Sequence, residues 1–337
     1  ISRGLVGSEM CIRDSALTPV KFGISFNTTF LNQAGALVHV YGDGSVHLNH
    51  GGTEMGQGLN TKVAQIVAHE FQVGFETVKI TATTTGKVPN TSATAASSGT
   101  DLNGMAAQAA ARTIKGRMRA HLAELHQCNP DSVTFTNGRV RAGAAEMSFA
   151  EAAKTCYLGR VSLSSTGFYA TPKIHWDKAR SRGRPFYYYA YGAAVSEVAV
   201  DLLTGENRIL RTDILHDAGR SLNPAIDTGQ IEGGFVQGAG WLTTEELVWD
   251  GAGRLRTHAP STYKIPACAD RPPVFNVALF EDGENIEDTI HKSKAVGEPP
   301  LMLGISVLMA LSHALESVGD NYPMLDAPAT PERLCLA

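Results

Sequence analysis

The stretch from Lys294 to Pro300 places one acidic residue, Glu298, between a glycine and two prolines. The residues that follow, 301–311, are apolar on nearly every side. Proline is tolerated in the first turn of a helix, and a helix that is apolar all round belongs in a core. The pattern therefore predicts a buried helix that begins at about Pro299, with Glu298 at its N-terminal cap.

Glu298 has two interpretations at this position. The helix dipole favours an ionised carboxylate, and a fixed carboxylate at the edge of a core is a candidate general base. The alternative is a structural residue, either a plain helix cap or the partner of Lys294 in a salt bridge. Other motifs of the chain are needed to choose between them.

The composition excludes several classes of protein. Of the 337 residues, 43% are hydrophobic and 18% are charged, which is ordinary for a globular protein. The net charge of −4 and the absence of a basic cluster predict no nucleic-acid partner. The sequence contains no run of about 18 or more consecutive apolar residues, so it predicts no membrane helix.

The cysteines indicate the redox compartment of the chain. The five cysteines are scattered and include no C-x-x-C pair, which argues against a disulfide framework, a zinc site or an iron–sulfur cluster within this chain. A reducing, cytoplasmic location is expected.

Residues 1–16 have no initiator Met and no signal-peptide pattern. We expect them to be a non-native leader on a chain that lacks its upstream part.

Two loops of small residues each lead into a predicted helix. Gly51–Gly58 precedes helical spacing over Leu59–Phe71, and a glycine-rich turn that opens a helix presents N–H groups to an anion. Within it Gln57 can project an amide into a ligand space, or it can be a solvated residue of a tight turn. Thr91–Thr100 contains only small residues and precedes a long helix from Asp101. Its backbone packs against a ligand, or it is a flexible linker.

A third glycine-rich segment, Gln230–Gly240, has helical spacing and is expected to pack very close to another element. It places Gln230 near the start of a helix, as Gln57 is. The chain shows no Ser/His/Asp order, metal-ligand pair or phosphate loop. Three neutral loops and one carboxylate suit a bulky polar cofactor that carries out the difficult chemistry.

Paired strands predict the fold class. Glycine-containing turns join strands within residues 37–48 and 133–141, and a long strand at Tyr187–Leu203 returns as Arg208–His216. Such pairs favour an α+β fold over a doubly wound one. We predict two lobes, residues 17–150 and residues 151–337, the second of which carries Glu298.

Together these motifs resemble the molybdopterin-binding part of the xanthine dehydrogenase/oxidase family. The resemblance extends from about Pro19 to about Pro331 and implies a two-lobed α+β region of the xanthine dehydrogenase/aldehyde oxidase type, which binds the molybdenum cofactor. The segments that carry it are Lys21–Phe26, Phe30–Leu37, Gly51–Gly58, Asn223–Gly238 and Lys294–Pro300.

The resemblance assigns cofactor contacts residue by residue. Gln57 and Gln230 resemble the family's glutamines at the molybdenum cofactor, and Ala96 resembles a residue packed beside the metal. The residues that would bind the pterin and its phosphate are Ser97, Ser98 and Thr100.

It also assigns the substrate side of the site. Glu298 resembles the catalytic base, Phe26 an aromatic ring against the purine, and Leu31 a residue of the substrate channel. The alternative for Phe26 is a core residue that shares one strand with Ile24 and Phe30. The vertebrate enzymes of the family carry Thr after the position of Phe26, where this chain has Asn27, so the resemblance does not extend to the fine preference among purines.

The activity implied is that of an oxidoreductase of purine catabolism. It would hydroxylate hypoxanthine and xanthine towards urate with oxygen from water, and hydride would pass to the molybdenum centre. The resemblance implies 2Fe-2S clusters and FAD on missing regions or a partner subunit, and a homodimer, so the chain alone is expected to be inactive.

Two alternatives stay open: an aldehyde oxidase-type molybdenum hydroxylase, and a non-catalytic cofactor-binding module. Phe22–Phe26 and Thr94–Ser97 favour xanthine dehydrogenase over aldehyde oxidase.

Overall fold

The structure, a computed structural model, describes residues 11–319 and 322–337. Residues 1–10 of the expected leader lie outside these ranges. Within them the chain forms thirteen β-strands and six α-helices, together with short 3-10 helices. The strands are β1 (Cys11–Ile24), β2 (Gln33–Val40), β3 (Val46–His50), β4 (Val78–Ile80), β5 (Thr134–Thr136), β6 (Arg139–Ala142), β7 (Ala145–Ser148), β8 (Ser164–Ala170), β9 (His175–Asp177), β10 (Arg182–Arg184), β11 (Tyr188–Asp201), β12 (Asn207–Asp217) and β13 (Val274–Leu279). The α-helices are α1 (Leu59–Phe71), α2 (Gly99–Leu125), α3 (Phe149–Leu158), α4 (Pro224–Thr243), α5 (Ile305–Glu316) and α6 (Pro331–Leu336).

The chain divides into two compact units. Of the described residues, unit 1 contains 11–22, 189–285, 293–319 and 322–337, and unit 2 contains Gly23–Tyr188 and Ile286–Lys292. The predicted lobes differ from these units, since the boundary between residues 150 and 151 falls inside α3 of unit 2. Residues 11–16 of the expected leader form the start of β1. Each unit is assembled from segments that are distant in the sequence, so a single boundary along the chain cannot describe the units.

Unit 2 packs two helices on a four-stranded sheet. The sheet has the order β4-β3-β2-β8, in which β2 is antiparallel to both neighbours and β3 is parallel to β4. Four alanines on α2 are fully buried, namely Ala106, Ala107, Ala110 and Ala111. A Cβ added to Gly167 of β8 would lie 2.0 Å from the carbonyl oxygen of Ala106. Small residues therefore let α2 lie directly on the backbone of β8. The predicted helix over 59–71 and the turn after β2 are confirmed.

Unit 1 packs α4 and α5 on one face of a second sheet. Its order is β1-β11-β12-β13, with β11 antiparallel to β12 and β12 parallel to β13. Phe235 of α4 and Leu311 of α5 are fully buried in the core between these layers. The long strand pair and the α+β class predicted from the sequence are confirmed.

The apolar segment after Glu298 begins as predicted. A 3-10 helix spans Pro299–Gly304 and leads directly into α5. Contrary to the expectation from its sequence, Pro299–Glu316 is long and apolar enough to meet the criteria for a membrane span, with a mean hydropathy of 1.3. Because 61% of it is buried within the structure, and a core helix meets the same criteria, we describe it as a core helix.

Candidate functional site

Glu298 stands at the N-cap position of the 3-10 helix in unit 1. Its side chain is half-buried and makes no capping hydrogen bond. Lys294, the other structural partner considered for it, has its ammonium group 2.5 Å from a carboxylate oxygen of Asp217. Glu298 therefore occupies the predicted cap position without a capping hydrogen bond, and its role as a base stays a prediction.

The backbone after Glu298 is fixed by the glycine-rich face of α4. A Cβ added to Gly238 would lie 2.1 Å from the carbonyl oxygen of Leu301, and one added to Gly304 would lie 2.5 Å from the carbonyl carbon of Gly238. These distances leave no room for side chains. The prediction that this helix packs very close to another element is confirmed, and that element is the 3-10 helix next to Glu298.

Gln230 lies in the second turn of α4, further from the helix start than predicted. The helix begins at Pro224, where the side chain of Asn223 accepts the N–H of Ile226 at 3.2 Å. Gln230 precedes Gly234 by four residues, and residues four apart share one face of a helix. The half-buried Gln230 therefore shares a face of α4 with the glycines that contact the 3-10 helix.

In unit 2 the side chain of Gln57 folds back on its own loop. Its amide nitrogen donates to the carbonyl of Thr53 at 2.8 Å, and its amide oxygen accepts the N–H of Met55 at 2.5 Å. The residue is half-buried. Gln57 is thus held by its loop rather than solvated, and this side chain orders the turn before α1.

Glu54 occupies the start of α1. Its carboxylate accepts the N–H groups of Gly56, Gly58 and Asn60 at 2.9, 3.0 and 2.9 Å. Burial raises the pKa of this carboxyl, but the backbone donors lower it by more, so its pKa lies below the ordinary value. The N–H groups that were predicted to face an anion are therefore satisfied by Glu54. The sequence analysis missed this role, although an acidic residue shortly before a helix is a recognisable sign.

The small-residue loop 91–98 packs against the Gln57 loop. The N–H of Thr53 donates to the hydroxyl of Thr94 at 2.9 Å, and a Cβ added to Gly51 would lie 2.0 Å from the hydroxyl of Thr91. These contacts are those of a packed loop and not of a flexible linker.

The end of this loop has the shape of an anion site. Ala96 and Ser97 both adopt the left-handed conformation, with φ of 55°, directly before the 27-residue helix α2. Successive N–H groups in such a turn, at the positive end of a helix dipole, favour a phosphate. Ser98 is buried and Thr100 is half-buried in the same segment. The hydroxyl of Ser98 donates to the carbonyl of Ala95 at 3.3 Å, and the phosphate role of this turn stays a prediction.

The metal of such a cofactor would have to come with its own ligands. In residues 11–319 and 322–337 no group of three or more His, Cys, Asp or Glu side chains could hold a metal ion. Ala96 offers no side-chain ligand but does allow a close approach. The donor set therefore fits a metal carried on an organic ligand better than a metal bound by the chain itself.

Asp101 is a buried carboxyl in the first turn of α2. The hydroxyl of Tyr188 donates to it at 2.7 Å. Burial raises its pKa to about 7, although the Tyr188 hydrogen bond and the charge of Lys62 act in the opposite direction. It adjoins the residues that would bind the cofactor phosphate.

The loop that carries Phe26 is held by Asn32, a residue with no predicted role. The amide oxygen of Asn32 accepts the N–H of Phe26, and its amide nitrogen donates to the carbonyl of Phe26, both at 2.8 Å. Phe26 and Leu31 are half-buried, and Asn27 is exposed. Because β1 ends at Ile24 and Phe30 is 71% exposed, the alternative of a shared core strand is wrong.

Gln33, at the start of β2, links the Phe26 loop to the small-residue loop. Its side-chain oxygen accepts from the amide of Asn90 at 3.0 Å, and its carbonyl accepts from the hydroxyl of Ser92 at 3.1 Å. Unit 2 therefore brings three loops together: residues 25–32, 51–58 and 91–98. Unit 1 brings together Gln230 and the segment of Glu298.

Known proteins resemble the chain in sequence and in fold. It is 47% identical over 330 residues to xanthine dehydrogenase/oxidase of Felis catus, in an alignment that covers 96% of this chain and 23% of the relative. Cu,Mo-CO dehydrogenase shares the fold at a TM-score of 0.83 and 20% identity, over 97% of this chain and 41% of that one. Quinoline 2-oxidoreductase of Pseudomonas putida 86 shares the fold at a TM-score of 0.82 and 22% identity, over 96% of this chain and 42% of that one.

The sequence match covers nearly all of this chain but only part of its relative. The chain spans about a quarter of the length of the curated relatives that it matches. The family described as the molybdopterin cofactor-binding domain matches residues 11–272, which is more than half of the chain. On this evidence, together with the donors and packed loops of both units, the chain belongs to the molybdopterin cofactor-binding domain family.

Proposed function

We propose that this chain is the part of a purine-oxidising molybdenum hydroxylase that carries its catalytic base. The reaction would be the hydroxylation of hypoxanthine and xanthine towards urate with oxygen from water. The observation that carries the proposal is the placement of Glu298, which stands on a backbone held against the glycine-rich face of α4. The identity to xanthine dehydrogenase/oxidase supports the choice of substrate.

The proposed cofactor contacts are those that the family resemblance assigns. Ala96 and Ser97 would offer N–H groups, with Ser98 and Thr100 adding hydroxyls, and these would hold the pterin phosphate at the start of α2. The amides of Gln57 and Gln230 would orient the cofactor. When bound, the molybdenum cofactor supplies the redox chemistry of the hydroxylation.

The chain's own contribution to the reaction is a proton acceptor. A carboxylate oxygen of Glu298 would take the proton from the water-derived nucleophile as it attacks the purine carbon. A positioned general base is worth about 10²–10⁴-fold in rate. The 3-10 helix that follows begins with two buried prolines, Pro299 and Pro300, which restrict the backbone next to Glu298.

The substrate would meet residues of the Phe26 loop. The half-buried ring of Phe26 can lie against a purine plane, and the clamp by Asn32 fixes its backbone. Asn27 can donate and accept hydrogen bonds at the purine edge. Leu31 supplies an apolar wall of the substrate channel.

The remaining parts of the enzyme are proposals from the relatives. We infer 2Fe-2S clusters and FAD on other regions or a partner subunit, since a hydroxylase must pass its electrons onward. A homodimer in the cytoplasm completes the proposal.

The test is Glu298→Gln in the complete enzyme that contains this chain. Gln keeps the size of the side chain but cannot accept the proton, so turnover of xanthine should fall at least ~10²-fold while molybdenum content is unchanged. Glu316→Gln, at the exposed far end of α5, is the matched control and should behave as the wild type. Near-normal turnover in Glu298→Gln would refute the assignment.

A further inference from the structure

Four residues before Glu298 the chain carries a buried ion pair. The Lys294 ammonium lies 2.5 Å from Asp217 at the end of β12, and the side chains are only 9% and 17% exposed. The exposed pair Arg211–Asp213 on the same strand has 54% and 37% exposure. Water screens exposed pairs strongly, and buried pairs much less.

The backbone at Lys294 is tied to the same strand end. The N–H of Lys294 donates to the carbonyl of Ala218 at 2.8 Å, and Ser293 forms an antiparallel bridge with Gly219. The other oxygen of Asp217 accepts the N–H of Gly219 at 2.8 Å. The Asp217 carboxylate therefore contacts both the Lys294 segment and the backbone that follows β12.

A second anchor follows on the other side of Glu298. The 3-10 helix Pro299–Gly304 is locked against Gly238 of α4, as described above. Glu298 therefore lies on the short span 295–298 between two fixed points. A span of this length has few conformations when both ends are held, and many when one end is released.

We propose that Lys294 and Asp217 are positioning residues for Glu298, acting through the backbone that they fix. The inference rests on the proposed function for its catalytic meaning, but the geometry that it asserts belongs to this chain alone. Removing one charge would leave the other buried without a partner, and the upstream end of the span would then be held less firmly, by the backbone contacts of Ser293 and Lys294 without the ion pair. Glu298 would then sample orientations in which its carboxylate misses the substrate.

The first experiment measures amide hydrogen exchange in the 337-residue chain. Lys294→Met should raise the exchange rate of the N–H groups in residues 295–304 at least tenfold, while peptides of unit 2 stay unchanged. Arg211→Met, which breaks the exposed pair on β12, is the control and should leave residues 295–304 as in the wild type. The double variant Asp217→Asn with Lys294→Met removes both charges at similar volume. The double variant should fold even if Lys294→Met alone does not. It should show the same increase in the exchange rate over residues 295–304.

The second experiment uses the complete enzyme. Lys294→Met should lower kcat for xanthine at least tenfold with little change in KM and in molybdenum content, and Lys294→Arg should recover most of it. Unchanged exchange at 295–304, or an equal rise in every peptide of the chain, would overturn the positioning role. A local rise combined with normal turnover in Glu298→Gln would support the positioning role and refute the proposed function instead.

Discussion

The close contact between α4 and the 3-10 helix makes a quantitative prediction for Gly238→Ala. The added Cβ would lie 2.1 Å from the carbonyl oxygen of Leu301 and 3.1 Å from its carbonyl carbon. An ordinary contact is about 3.5 Å, so one of the two backbones must move by more than about 1 Å. Neither can rotate away as a side chain could, which places the cost near the upper end of overpacking, about 3 kcal/mol.

A gain in helix propensity offsets part of this cost. Replacing Gly by Ala inside a helix stabilises it by about 1 kcal/mol, so we expect a net loss of about 2 kcal/mol in the free energy of unfolding of unit 1. Gly233 lies on the same helix, and a Cβ added there would meet nothing within 4 Å. Gly233→Ala is therefore the matched control and should stabilise the unit by up to about 1 kcal/mol.

The assay is thermal unfolding followed by tryptophan fluorescence, since Trp241 lies on α4 and is half exposed. A loss of about 2 kcal/mol corresponds to a fall of about 4–8 °C in Tm for a unit of this size. If Gly238→Ala proved as stable as Gly233→Ala, the two backbones would not be in the contact described, and the fixed placement of Glu298 would fail with it.

Three further predictions concern unit 2. The pKa of Asp101 is raised to about 7 in the folded chain, so between about pH 4 and pH 7 the folded state holds a proton that the unfolded state has lost, and stability falls as pH rises through this window. Asp101→Asn removes the pH dependence of stability that this carboxyl causes, so the Tm difference between variant and wild type should change with pH. A Tm difference that stayed constant from pH 4.5 to pH 8 would contradict the raised pKa. In the complete enzyme Phe26→Ala should lower kcat/KM for xanthine about tenfold, because the ring loses its stacking and apolar contact, with a smaller loss on acetaldehyde. Equal losses on both substrates, or loss of molybdenum, would assign Phe26 to structure. Asn27→Thr should change only the ranking of xanthine and hypoxanthine at constant molybdenum content, and a fall in that content would contradict a role in substrate recognition.

Local patterns predicted local structure well. Helix α1 begins and ends at the predicted residues, Leu59 and Phe71, because its apolar spacing and the preceding glycines are written in consecutive residues. The glycines of α4 also predicted close packing, since repeated glycine in a helix has a cost that only such a contact explains.

Features that depend on distant residues escaped the sequence analysis. Strand β8 begins Ser-Ser-Thr-Gly, a start in which only Thr favours a strand. It forms because β2 pairs with it and α2 lies on Gly167. The self-contained hydrogen bonding of Gln57 and the partner of Lys294 likewise depend on geometry that spacing does not encode. The candidate site could be named from motifs, whereas the residues that hold it could not.

The division of the chain into segments sets an order for folding during synthesis. The main segment of unit 2, Gly23–Tyr188, is continuous, so it can fold as soon as it leaves the ribosome. Unit 1 cannot, because β1 must wait for its neighbour β11, which is made some 160 residues later. Until then β1 presents unpaired N–H and C=O groups along its edge. Slow translation or truncation between these strands should therefore favour aggregation through β1.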